Sequence, residues 1–236
     1  MKIGILQCDD VMESLQSRHG NYPEMIENLL REQQADIEVA VYRVLEGQLP
    51  SRLDECDAYI TTGSRYGVND GDGWISELEQ WVRQLFDARI PLVGICFGHQ
   101  LVAKALGGKV VKSDKGWGVG VSFNQVLSPK PWMEPFQSQL DLVVSHQDQV
   151  SILPPQAEVL AASSFCPYYL VQYGEHFLTV QGHPEFCKDY SCDLMDARRD
   201  RIPANRIREG MASLAAEVDD RLMMRWVMNF YRHALS

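Results

Sequence analysis

Long uninterrupted apolar runs are what this 236-residue chain most plainly lacks. The longest are broken by polar residues well before the roughly 20 needed to span a bilayer. The opening "MKIGILQCDD" has neither the apolar middle nor the small-residue cleavage site of a signal peptide. A soluble, cytoplasmic protein with no membrane partner is expected. Basic residues are also scarce, 22 against 32 acidic ones, for a formal charge of -10. A surface of that sign repels phosphate backbones, which excludes nucleic acid as a partner. Cysteine is sparse and irregular. Cys8, Cys56, Cys96, Cys166, Cys187 and Cys192 lack the dense spacing of a small disulfide scaffold and read as free thiols in a reducing compartment. No repeat, low-complexity tract or linker divides the chain, so residues 1–236 read as one domain, and the 45% apolar content suffices for a sizeable core.

What is present is alternation. Strand-like runs at 2–7, 36–44, 57–63 and 90–96 are interleaved with a helical stretch at 23–34 and with a stripe of Trp74, Ile75, Leu78, Trp81, Val82, Leu85 and Phe86 at helical spacing. Strand, helix, strand, helix predicts an α/β fold with a parallel sheet covered on both faces. After Gly107 and Gly108 the pattern changes to closely spaced strand candidates, "KVVKS", "GVGVSFNQVL", "LDLVVSHQDQV", "EVLAAS", "YYLVQYG" and "FLTVQGH", which read as hairpins and extra strands added to that core. The tail forms a helical extension over about 190–236, broken at Pro203. Its stripe of Met211, Leu214, Ala215, Val218, Leu222, Trp226 and Phe230 reads as one long amphipathic helix that packs on the core or forms a dimer face, core packing being the commoner use of such a stripe.

In "GICFGHQ" the spacing Gly94, Cys96, Gly98 is the G-x-nucleophile-x-G arrangement, in which a strand enters a helix so sharply that the central residue is strained and exposed. Cys96 at a helix N-terminus meets partial positive charge and unpaired N–H groups, which favour thiolate. The Phe97 N–H is free to donate to a developing oxyanion. A nucleophile needs a base, and among six histidines His183 stands out. "FLTVQGHPEF" runs an apolar strand into Gly182, His183, Pro184 and Glu185, at the kind of strand end where open parallel sheets build their sites. Glu185 is placed to accept from the imidazole Nδ1–H and fix its tautomer. His99, three residues after Cys96, raises a C-x-x-H metal pair with Cys187 or Cys192. No second close pair completes it, so no metal is expected and His99 reads as a helix-start residue near the site.

With these motifs the sequence resembles the class I (triad) glutamine amidotransferase family, particularly the glutaminase domain of GMP synthase and its stand-alone relatives. "TTGS", "GICFGHQ", "SHQDQV" and "GHPEF" occur in the family's order across roughly residues 40 to 190. The resemblance implies a doubly wound, flavodoxin-like sheet, a Cys-His-Glu triad and no cofactor. Cys96 would be the nucleophile, His183 the base and then acid, and Glu185 its orienting partner. The N–H groups of Gly63 and Phe97 would form the oxyanion hole, while Gln100, Ser145, Gln147 and Asp148 would hold the α-amino and α-carboxylate groups of a small-molecule substrate. The chain departs from the family at "TTGSRYG", where Ser64 and Arg65 stand near a usual proline. "NDGDGWISELEQW" and "QGHPEFCKDYSCDLMD" are closer to a stand-alone subgroup that includes plant γ-glutamyl peptidases, and nothing in the sequence supplies an ATP-pyrophosphatase domain.

Two chemistries are compatible with the resemblance, while a non-catalytic binding module would be favoured by substitution of Cys96, His183 or Glu185, all three of which are present. If ammonia leaves, the chain is a glutaminase feeding a separate synthetase subunit; if an amino acid or larger amine leaves, it is a γ-glutamyl peptidase. Residues that grip the glutamyl head serve both, so the leaving-group side decides, and Arg65 and Tyr66 are candidates there, Arg65 for a peptide carboxylate.

Overall fold

Short apolar strands alternating with amphipathic helices assemble as the first half of the sequence predicts. The computed structural model describes residues 1–236. In chain order its elements are β1 (Lys2–Gln7), α1 (Glu13–His19), α2 (Tyr22–Gln33), β2 (Glu38–Arg43), β3 (Ala58–Thr61), α3 (Gly73–Asp87), β4 (Leu92–Ile95), α4 (Phe97–Ala105), β5 (Lys109–Lys112), β6 (Gly118–Ser122), β7 (Gln125–Val126), β8 (Leu142–His146), β9 (Asp148–Ile152), β10 (Ala157–Ala162), β11 (Leu170–Tyr173), β12 (Phe177–Val180), α5 (Lys188–Ala197), α6 (Ala204–Ser213) and α7 (Asp220–Ala234).

Eight strands form the main sheet in the order β2-β1-β3-β4-β12-β11-β10-β7. From β2 to β12 all pairings are parallel; from β12 to β7 all are antiparallel. The alternation of side chains along each strand separates two cores. Ile3, Ile5, Ala58, Ile60, Val93, Ile95, Leu178 and Val180 face Ile26 and Leu30 of α2 and Met224, Val227 and Phe230 of α7. Leu6, Tyr59, Leu92 and Phe177 face Leu78 and Val82 of α3 and Leu101 and Val102 of α4. Helices therefore cover both faces. Each such fully buried aliphatic side chain contributes about 1.5–3 kcal/mol, so this two-sided packing dominates the fold's stability.

Three expectations need correction. The strand "FLTVQGH" is no addition to the core: β12 lies inside it, parallel to β4 with Val180 beside Ile95. "LDLVVSHQDQV" is two strands that part at Gln147, because β8 pairs with β6 while β9 pairs with β5 in separate two-stranded ladders. The tail stripe is two helices. α6 starts after Pro203 as expected, but the chain breaks again before α7. Asp219 and Asp141 are the reason: the Asp219 N–H donates to the Asp141 carbonyl at 2.8 Å, and the Asp141 N–H donates to Asp219 Oδ2 at 2.8 Å. α7 does pack on the core, with Met223, Trp226, Phe230 and Tyr231 fully buried.

Candidate active site

β3, β4 and β12 are neighbours, and their C-terminal ends bring "TTGS", "GICFGHQ" and "GHPEF" together. Cys96 links β4 to α4 with φ 48° and ψ -92°, a left-handed-side conformation costing a non-glycine residue about 1–3 kcal/mol. The turn closes only because its flanks are glycines. A Cβ on Gly94 would lie 2.7 Å from the Gly98 carbonyl carbon, and one on Gly98 would lie 1.8 Å from Thr61 Oγ1. Phe97 opens α4, so its N–H is among the first-turn donors without an intrahelical acceptor.

His183 is fixed from three directions. Its N–H donates to the Val143 carbonyl at 2.8 Å, its Nδ1 and Glu185 Oε1 are 2.7 Å apart, and the Phe186 ring stacks on the imidazole at 3.8 Å and 9°. The carboxylate makes Nδ1 the protonated nitrogen and leaves Nε2 for chemistry. Burial opposes charge on the ring, but the adjacent charges of Glu185 and Cys96 outweigh it and push the His183 pKa up to about 10. Gly63, just after β3, abuts the pair: a Cβ there would lie 2.7 Å from His183 Cε1 and 3.7 Å from Cys96 Cβ. Thiol, imidazole, carboxylate and the Gly63 backbone thus form one contiguous group.

A cavity of about 430 Å³ opens over Cys96 and Phe97, and Gln100, Ser145, Gln147 and Asp148 all line it. Gln100 is already engaged: its Nε2 donates to the Asp148 carbonyl at 2.9 Å and to Gln181 Oε1 at 3.2 Å. Burial raises the Asp148 carboxyl above the ordinary range; Lys112 opposes that and Asp70 adds to it. His99 lies behind the site, fully buried, with Nδ1 2.8 Å from Thr179 Oγ1. No group of three or more His, Cys, Asp or Glu side chains is arranged to hold a metal. All six cysteines are free, Cys192 Sγ lying against Met211 Sδ at 3.4 Å.

Several contributors escaped the sequence reading. Gln181 Nε2 donates to Cys96 Sγ at 3.5 Å, linking the thiol through Gln100 to Asp148. Its signal was a polar residue closing the apolar run "FLTVQ". Asp9, 2% exposed, holds the loop after Gly63: Oδ2 accepts from the Arg65 N–H at 2.8 Å, and Oδ1 accepts from the Asp10 N–H at 2.8 Å. Ser64 Oγ donates to the Cys8 carbonyl at 3.1 Å in the same loop. The Arg65 guanidinium lies 3.5 Å from Asp9, so its charge is answered from inside the protein. Asp70 and Asp148 crowd Gly67, with oxygens 3.0 and 3.2 Å from where a Cβ would stand. Arg198 and Arg201 reach the cavity from beyond α5, and nothing local in the sequence marks them.

Fold and site define an α/β protein that carries a strained cysteine at a strand-to-helix turn beside a buried His–Glu pair. The sequence profile of class I glutamine amidotransferases matches residues 19–190, and the chain belongs to that family. It is 32% identical over 162 residues to γ-glutamyl peptidase 4 of Arabidopsis thaliana, covering 66% of this chain and 64% of the relative, and 34% identical over 163 residues to γ-glutamyl peptidase 5, covering 66% and 65%. The chain thus spans less than two thirds of the length of these curated relatives. A putative glutamine amidotransferase of Saccharomyces cerevisiae is 32% identical over 202 residues, 80% of each chain. In fold, the chain is similar to a glutamine amidotransferase of Thermotoga maritima, with a TM-score of 0.75 at 19% identity over 98% of this chain and 97% of that one. No helix is long and apolar enough to cross a membrane.

Proposed function

We propose that the whole chain acts as one cysteine hydrolase that opens the γ-glutamyl amide of glutamine or of a γ-glutamyl compound. The observation that carries this reading is the single contact group of Cys96, His183, Glu185 and Gly63, of which Cys96 lines the cavity. Cys96 gives its thiol proton to His183 Nε2 and its Sγ attacks the γ-carbonyl carbon, forming the S–C bond, while the oxyanion is met by the N–H groups of Gly63 and Phe97. His183 gives its Nε2 proton to the leaving nitrogen as the C–N bond breaks. It then takes a proton from water, whose oxygen adds to the thioester; the S–C bond breaks and glutamate leaves. Glu185 keeps the imidazole oriented throughout. Gln100, Gln147 and Asp148 bind the amino-acid head, whereas the Ser145 hydroxyl expected there accepts from Arg198 Nη1 at 3.0 Å.

With glutamine the leaving group is ammonia, and a separate synthetase subunit is its acceptor. A second reading, γ-glutamyl peptide hydrolysis, is favoured by the names of the Arabidopsis relatives and by the arginines on the cavity wall. The test incubates purified protein with glutamine and, separately, with γ-glutamyl peptides, following ammonia and released amines, with Cys96→Ala as the blank. Release that persists in the blank refutes the thiol mechanism. Amine from peptides with little ammonia from glutamine selects the peptidase.

A further inference from the structure

The charges around the cavity do not balance for a neutral substrate. Four cations line it, Arg65, Lys112, Arg198 and Arg201, against the carboxylates of Asp70 and Asp148. Arg65 is matched by Asp9 beneath it, and Lys112 acts on Asp148. Arg198 and Arg201 remain. The Arg198 Nη1 donates to a neutral hydroxyl, Ser145 Oγ at 3.0 Å, and the guanidinium forms no ion pair. A half-buried guanidinium held by one neutral bond keeps its other N–H donors free for a planar anion, and with the exposed Arg201 on the same wall it suits a carboxylate.

Position assigns that carboxylate to one end of the substrate. The acidic pair Asp70 and Asp148 crowds Gly67, and Gln100 is bonded to the Asp148 backbone. That group suits an α-ammonium. Arg198 instead comes from the end of α5, the helix that comes after the His183–Glu185 turn, and it is anchored on Ser145 of β8. The same strand holds His183, whose N–H bonds to Val143 two residues before Ser145. His183 is the group that would protonate the leaving nitrogen, so Arg198 shares its side of the site.

We infer that Arg198, with Arg201, forms a subsite for a carboxylate carried by the leaving amine, so that the chain discriminates γ-glutamyl amino acids from γ-glutamyl amides of uncharged amines. This inference rests on the hydrolase reading above. The experiment compares kcat/KM of the purified chain for γ-glutamylglycine and γ-glutamylglycinamide, which differ only in that carboxylate. Losing a charge-assisted hydrogen bond costs about tenfold or more, so wild type should favour the acid by about that factor, and Arg198→Met should bring the ratio close to one. Arg198→Lys, which keeps the charge but loses the fork, should fall between. A wild-type ratio near one overturns the subsite while leaving the hydrolase intact. An Arg198→Met protein that slows both substrates by the same factor also overturns it, because Arg198 would then read the α-carboxylate common to both. No wild-type turnover of either compound or of glutamine refutes the hydrolase reading itself.

Discussion

Two turns of the same sheet each carry a cysteine, and they differ in the chain that follows and in the groups that face the sulfur. Cys8 comes after β1 and Cys96 after β4, both at C-terminal strand ends and both buried. Cys8 Sγ donates to the Leu6 carbonyl at 3.4 Å, and burial, with the charge of Asp9 in support, pushes its thiol well above the ordinary range. Cys96 heads a nine-residue helix, is twisted to φ 48°, and has an imidazole and a cavity beside it. In the proposed chemistry, reactivity is set by the element into which the strand leads and by the charges that face the sulfur, not by cysteine itself. The β1 turn has a different use: through Asp9 and the Cys8 carbonyl it braces the loop that presents Gly63.

The largest expected effect breaks the comparison outright. Cys96→Ala should lower turnover by about 10⁴-fold or more, whereas Cys8→Ala stays near the wild-type rate. Iodoacetamide followed by peptide mapping should label Cys96 ahead of Cys8, and equal labelling would contradict the contrast. Glu185→Gln, which leaves His183 without its charged partner, should cost about 10²–10⁴-fold in kcat, measured as product release at saturating substrate. Gly98→Ala tests the turn rather than the sulfur. Its Cβ would lie 1.8 Å from Thr61 Oγ1, while one on Gly73 would meet nothing within 4 Å. Overpacking costs about 1–3 kcal/mol, so thermal unfolding should show a clear loss for Gly98→Ala and almost none for Gly73→Ala. Asp9→Ala should lower kcat by about tenfold through the oxyanion loop, with less change in KM and partial recovery in Asp9→Asn.

The smallest effect is on stability against pH, and its sign differs between histidines. Burial, together with the neighbouring imidazoles, pushes His99 down to about 3 and His146 down to about 4. Between pH 6.5 and 4 the unfolded chain binds these protons and the folded chain does not, so their contribution is complete above 6.5 and is lost as pH falls. His183 behaves oppositely. Its raised value gives a contribution complete below 6.5 and lost as pH rises from 6.5 to about 10. Denaturation midpoints should decline on both sides of pH 6.5. His146→Gln should flatten the acid limb and Glu185→Gln the alkaline one.

What could be read in advance was whatever is local. The stripe from Trp74 to Phe86 became α3, with Ile75, Leu78, Trp81, Val82 and Leu85 buried, and the glycines around Cys96 announced their turn because the crowding that requires them spans a few residues. Elements decided by distant partners could not be read. α1 buries no residue and is tied down by Arg18 and His19, which both reach Asp193 of α5. The break before α7 depends on Asp141, far upstream. Asp9, Gln181 and Arg198 are isolated polar residues in the sequence and meet the site only because β1, β12 and α5 end there.

The stack of Phe186 on His183 bears on timing. A ring clamped at 3.8 Å on one face and tied at Nδ1 has no room to swing. In the proposed chemistry one stationary Nε2 must serve the departing amine and the incoming water in turn. Water cannot occupy that place until the amine has vacated it, so a bulky or well-held leaving group delays release of the enzyme from its acyl form. Turnover would then be paced by an exchange of molecules at a fixed nitrogen rather than by any movement of the protein.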